Sequence, residues 1–149
     1  MNRQTRWLII EATYYLAWAR LLKALPFSKV VNYLGLQTDE TTFSSSEEEE
    51  VTMRRISNAL LLVSKHTWWE SKCLVRGLAA MKMLERRGIA STIYFGTAKD
   101  DQGKLIAHAW LRSGRLYVTG AAEMPKFTMV RLFGKIVSNP HRNRTTQEG

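Results

Sequence analysis

Residues 71–88 read SKCLVRGLAAMKMLERRG and mark the point where a helical pattern gives way to a strand pattern. Large apolar residues recur there at the three- and four-residue steps of one helix face: Leu74, Leu78, Met81 and Leu84. Gly88 stands where a left-handed residue would end such a helix. The sequence therefore predicts an amphipathic helix with Cys73 in its first turn.

Beyond this helix the apolar residues follow a period of two, which is typical of strands. The pattern predicts three strands, over residues 89–97, 104–112 and 115–119. The turns between them fall at residues 98–103 and at Ser113-Gly114. We expect an α+β fold in which the Cys73 helix packs on a small antiparallel sheet.

Residues 1–36 form an N-terminal helical segment, with a helix over residues 6–24 that Pro26 stops and a second over residues 28–34 capped by Gly35. This segment either packs on the core or offers a docking surface for a partner or a membrane. Membrane-surface association is not predicted. Charged residues interrupt the apolar stretch, so it does not read as a membrane span or a signal peptide. A cytoplasmic location is expected.

Residues 37–49, QTDETTFSSSEEE, read as a polar and acidic linker before a core over residues 50–139. We expect a flexible stretch that becomes a helix from about residue 46 to residue 65, with the acidic run as its solvated start. The apolar face of this helix is predicted to hold Val51, Ile56, Ala59, Leu60 and Val63. Residues 140–149 read as a basic, disordered tail.

Composition narrows the chemistry of the chain. Its 149 residues suffice for one well-packed domain. A single cysteine excludes an internal disulfide and any metal site built on several thiolates, and the three histidines show no ligand spacing. No metal or cofactor is predicted. The net charge of +9 favours acidic partners. Because no nucleic-acid-binding motif accompanies that charge, nucleic acid is not a predicted partner.

Cys73 and His108 are the candidate reactive pair. A cysteine at a helix N-terminus lies near unsatisfied N–H groups that stabilise a thiolate, and Lys72 and Arg76 add positive charge. His108 lies in the second predicted strand between two alanines, which let a ligand approach the imidazole. A helix-borne thiol facing a strand-borne imidazole is an activated nucleophile. Both residues could instead be structural, the cysteine as a small buried side chain.

Four sequence elements follow one another in this core: Trp69 three residues before Cys73-Leu74, the run LERRGI at residues 84–89, a strand that ends in Gly96, and Ala107-His108-Ala109-Trp110. In this order they closely resemble the B2 proteins of lasso-peptide maturation, which belong to the transglutaminase-like and papain-like cysteine proteases. The resemblance runs from about residue 50 to residue 133. The N-terminal segment also resembles the stand-alone form of B2.

The resemblance implies a papain/transglutaminase-like core and a leader peptidase. Such an enzyme cuts the leader from a ribosomally made precursor, so that a separate ATP-dependent cyclase can close the macrolactam ring. A small leader-binding protein, B1, presents the precursor. Carried onto this chain, Cys73 would be the nucleophile and His108 the general base and later the acid.

The third catalytic position departs from the family pattern, which places an acid on the strand after the histidine. Thr119 stands there in this chain, and Glu123 is the nearest acidic alternative. Trp69 and Trp110 are candidate substrate-site residues, the first as a wall of the cleft and the second as a cover over the imidazole. Two rival functions remain open at this point: an acyl transferase of the transglutaminase type, and a non-catalytic scaffold that binds a peptide or membrane.

Overall fold

The computed structural model describes residues 2–66, 73–122 and 124–136, without the side chains of Phe27 and His66. Within these residues four α-helices precede four strands: α1 Arg3–Leu22, α2 Phe27–Leu34, α3 Glu47–His66, α4 Cys73–Arg86, β1 Ser91–Lys99, β2 Leu105–Ser113, β3 Leu116–Thr119 and β4 Thr128–Lys135. The predicted α+β class is confirmed. The predicted basic tail over residues 140–149 lies outside the described residues.

The strands form one antiparallel sheet in the order β3-β2-β1-β4, against which α4 packs. The predicted glycine helix ends are confirmed, since Gly35 and Gly88 have φ values of 64° and 71°. Strand β4 was not predicted. All four residues of its first half are exposed, and its sequence TMVRLFGK places apolar residues in adjacent pairs, without the alternation that signals a strand. Its pairing with β1 is therefore a contribution of the tertiary fold.

Helix α1 belongs to the same apolar core as α3 and α4. Its inward face consists of small and aliphatic residues at helical steps: Ala12, Leu16, Ala19 and Leu22. Glu11 joins α1 to the end of α4 through Arg86 and Arg87. Burial raises the pKa of Glu11, but the hydrogen bonds and charges of the two arginines outweigh that effect and lower it. In the described part of the chain, no helix has the length and apolarity that a membrane crossing requires.

The segment predicted to be a flexible linker lies against the sheet instead. Gln37 pairs with Gly134 of β4, and Thr41 hydrogen-bonds to Thr92 of β1. The physical reason is Arg112, whose side chain is only 2 % exposed and needs buried acceptors. Its guanidinium donates to the main-chain carbonyls of residues 41, 42 and 114. The buried guanidinium of Arg112 thus holds part of residues 37–49 against the sheet, although the composition of this segment predicted exposure to solvent.

The start of α3 also departs from the predicted solvated helix turn. Glu50 is buried and pairs with Arg115 at the turn between β2 and β3. Val51, predicted to face the core, is exposed, and Met53 is buried in its place. The ion pair fixes the rotation of the helix, so the acid points inward and the valine outward. The other predicted apolar positions of α3 are buried as expected.

We expect the Glu50–Arg115 pair to make the stability of the protein depend on pH. Chiefly because Arg115 hydrogen-bonds to the carboxylate, the pKa of Glu50 falls from 4.5 to about 2. A lowered pKa means that the stabilisation is present above pH 4.5 and is lost as the pH falls from there towards 2. As the pH is lowered over this interval, the melting temperature of wild type should therefore fall more steeply than that of Glu50→Gln.

Thermal melts followed by circular dichroism across that interval measure the effect. Glu48→Gln, which removes an exposed acid from the same helix turn, is the matched control and should follow wild type. Parallel curves for wild type and Glu50→Gln would contradict the prediction.

Candidate active site

The thiol of Cys73 lies on α4, where the helix packs on β2. The predicted start of this helix before Cys73 lies outside the described residues. Cys73 is half-buried, and its Sγ accepts a hydrogen bond from the backbone N–H of Ala109 at 3.3 Å. The thiol therefore contacts β2 at the residue next to His108.

The imidazole of His108 lies on β2, next to the residue that contacts the thiol. It is only 5 % exposed, and its Nε2 lies 3.0 Å from the carbonyl oxygen of Gly120. A carbonyl can only accept, so this contact requires the tautomer that carries a proton on Nε2. The thiol contacts β2 at the next residue, so Cys73 and His108 belong to two elements that meet at this point of the fold.

Two aromatic rings pack against the imidazole. Trp110 stacks at a centroid distance of 5.9 Å, and Phe127, which follows the short helical turn Met124–Lys126, lies at 4.9 Å. Trp110 is itself 4 % exposed and stacked on Tyr94. Trp110 therefore packs over the imidazole from inside the fold. Its predicted role at the substrate site stays a prediction. A Cβ at Gly96 would lie 2.8 Å from Trp110 and 2.9 Å from Phe127, which explains a glycine at that point of β1.

The acceptor that faces Nε2 is a main-chain carbonyl, which the sequence did not predict. The Thr119 hydroxyl is buried and has no hydrogen-bond partner within the described residues. A Cβ at Gly77 of α4 would lie 3.8 Å from it, so the hydroxyl points towards that helix. The contacts therefore give no support to Thr119 as the group that orients the imidazole. Glu123 and Trp69 lie outside the described residues.

The backbone conformation and the close surroundings of Gly120 require a glycine beside the imidazole. Its φ is +75°, and a Cβ there would lie 2.6 Å from the Ala109 carbonyl oxygen and 3.0 Å from Nε2 of His108. Only glycine fits a position with both restrictions. A glycine directly after the third strand was the available sequence signal. Phe127 gave no such signal, because it lies in an irregular stretch between β3 and β4.

A family model described as transglutaminase-like superfamily matches residues 14–132. The chain belongs to the transglutaminase-like superfamily. This superfamily includes cysteine proteases and acyltransferases, and catalysis in it generally depends on a cysteine. Its match covers both Cys73 and His108 and includes the second part of α1, from residue 14 onward. No curated protein and no solved structure matches the chain significantly.

Membership of the transglutaminase-like superfamily agrees with the chemistry that the described residues offer. Cys73 is the only cysteine of the chain, and its Sγ contacts β2 at the residue next to His108. The described residues hold no cluster of histidine, cysteine, aspartate or glutamate that could bind a metal. The arrangement can therefore carry out acyl transfer from a peptide or amide carbonyl to a thiol.

Proposed function

We propose that this chain is a cysteine peptidase that removes the leader from a lasso-peptide precursor, before an ATP-dependent cyclase closes the macrolactam ring. The observation that carries the proposal is the hydrogen bond from Ala109 N–H to Cys73 Sγ, at the residue next to His108. The superfamily includes cysteine proteases. The resemblance of Trp69-x3-Cys73-Leu74 and Ala107-His108-Ala109-Trp110 to B2 proteins supports the substrate class.

The proposed reaction has two steps. The Cys73 thiolate attacks the scissile carbonyl, and the proton that His108 took from the thiol goes to the leaving amine, which leaves a thioester. Water then attacks the thioester with His108 as the base, which releases the leader carboxylate and restores the thiol. The backbone N–H of Cys73 is the proposed oxyanion donor, because the sequence predicts this residue in the first turn of its helix, where N–H groups lack helical partners.

A partner protein belongs to the proposal. The free leader of a precursor would lose conformational freedom on binding, and a B1 protein that has already ordered it would reduce that cost. We therefore expect B1 to raise the rate of cleavage. The proposed setting is the cytoplasm, where the precursor is made and the thiol stays reduced.

Mass spectrometry of a candidate precursor, incubated with and without B1, tests the proposal. Wild type should release a leader with a free carboxylate, and Cys73→Ala should release none. A leader carbonyl joined to an added amine would indicate a transglutaminase-type acyl transferase instead. If the producing cell processes the precursor equally well with Cys73→Ala, the remaining interpretation is a non-catalytic scaffold.

The same assay decides the third catalytic position. Thr119→Val and Glu123→Gln each remove one candidate polar group and nearly keep its shape. A loss of cleavage confined to Glu123→Gln would make the acid the partner of the imidazole. A loss confined to Thr119→Val that persists at saturating precursor would make the Thr119 hydroxyl the partner of the imidazole. A loss that saturating precursor restores would instead indicate that the hydroxyl contacts the substrate.

A further inference from the structure

A cavity of about 240 Å³ lies beside the imidazole, in the seam between α3 and β3. His108, Arg76 and Thr119 contribute polar groups to its wall, while Leu60, Val118 and Ala122 are among its apolar lining residues. Arg76 follows Cys73 by three positions on α4, which places the two residues next to each other on one helix face. The cavity therefore adjoins the reactive pair and is open to a group carried by a substrate.

Two buried polar atoms of this wall have no hydrogen-bond partner within the described residues: Nε of Arg76 and Oγ1 of Thr119. The Thr119 side chain is 8 % exposed, so water reaches it poorly. A buried donor without an acceptor destabilises a folded protein, and such groups in native structures often belong to binding sites. No ion pair of Arg76 occurs among residues 2–66, 73–122 and 124–136, whereas Arg86, Arg87, Arg112 and Arg115 all have acidic partners.

We propose that this cavity binds a carboxylate side chain of the substrate, next to the bond that Cys73 attacks. A guanidinium offers donors in a fork that matches a carboxylate, and the Thr119 hydroxyl is a further donor. The apolar wall suits the methylene groups of glutamate or aspartate. Arg76 is then a specificity residue. The substrate role rests on the proposed peptidase function, but the charge preference of the cavity can be measured without any cleavage.

Alkylation of Cys73 by iodoacetate and iodoacetamide gives that measurement. The two reagents differ chiefly in charge, so the ratio of their rates reports a cation near the thiol. Arg76→Gln should lower the ratio of iodoacetate to iodoacetamide by about three- to tenfold, as expected for one charge about 6 Å away at a partly exposed site. Arg76→Lys should retain most of the preference. Circular dichroism melts establish that each variant is folded.

Arg86→Gln is the matched control, because it removes the same charge from the same helix thirteen positions after Cys73, or about 20 Å away. Its ratio should equal that of wild type. A ratio that is unchanged in Arg76→Gln, or that falls equally in Arg86→Gln, overturns the proposal. If the ratio falls as expected while no precursor is cleaved, the peptidase function fails and the cationic cavity stands.

Protection of Cys73 from iodoacetamide identifies the source of the carboxylate. Millimolar acetyl-glutamate methylamide should slow alkylation more than acetyl-glutamine methylamide, and Arg76→Gln should abolish the difference. Acetyl-glutamine with a free α-carboxylate should protect no better than its neutral methylamide. Equal protection by all three compounds, or better protection by the α-carboxylate than by the glutamate side chain, overturns the assignment to a side chain.

Discussion

Replacing His108 by glutamine is expected to slow leader cleavage by about 10²- to 10⁴-fold, the range that a positioned acid–base group contributes. Glutamine is similar in size, and its amide N–H can donate to the Gly120 carbonyl as Nε2 does now. It cannot take the proton of the Cys73 thiol or deliver one to the leaving amine. The loss should therefore appear in the chemical step, measured as single-turnover cleavage of the precursor in the presence of B1.

A melting curve separates this effect from unfolding, since the aromatic contacts of Trp110 and Phe127 surround the replaced ring. Phe127→Leu is a suitable control, because it changes the packing around the imidazole and leaves the base in place. Its effect on cleavage should be much smaller than that of His108→Gln. Cleavage by His108→Gln at the wild-type rate would show that the proposed mechanism is wrong.

Replacing Gly120 by alanine is expected to damage stability and cleavage together. A positive φ costs a residue with a Cβ about 1–2 kcal/mol. The new Cβ would also lie 2.6 Å from the Ala109 carbonyl oxygen and 3.0 Å from His108 Nε2, so backbone must move at the active site. Overpacking of this kind adds about 1–3 kcal/mol. Urea titrations should therefore show a lower free energy of unfolding for Gly120→Ala than for wild type. The cleavage rate should also fall, because the imidazole loses its acceptor.

Gly88→Ala is the matched control for Gly120→Ala. Its φ of +71° is similar, but nothing lies within 4 Å of the added Cβ. It should therefore show the backbone cost of about 1–2 kcal/mol and no loss of cleavage by the folded protein. The difference between the two variants measures the steric clash beside His108. Equal stability and equal activity of the two would contradict the role assigned to Gly120.

Much of the architecture was predictable because it depends on local patterns. The apolar steps of α4 and the glycine that ends it are local features, and the period of two after Gly88 predicted three of the four strands. The structure places Cys73 on α4 and His108 on β2, the strand that the thiol contacts. Position relative to a helix start and a strand can be read from one sequence, since both elements leave periodic signals.

The errors occurred where a distant residue overrides local composition. Glu50 lies in an acidic run typical of a solvated surface, yet Arg115, 65 positions away, holds it inside. The polar stretch before α3 is held by the buried guanidinium of Arg112. A charged side chain can be buried when a residue distant in sequence supplies its partner, and local composition does not show whether such a partner exists.

For the candidate pair, the sequence by itself indicated which thiol and which imidazole to consider, and it determined the secondary structure that carries each. Only the tertiary structure decided what surrounds them: the Gly120 carbonyl at Nε2, Phe127 against the ring, and the cavity into which Arg76 brings a charge without an ionic partner in the described residues. The physical reason is that an orienting acceptor can be a main-chain carbonyl. Its direction is set by one left-handed residue after β3, and no side-chain pattern reports where such a carbonyl points.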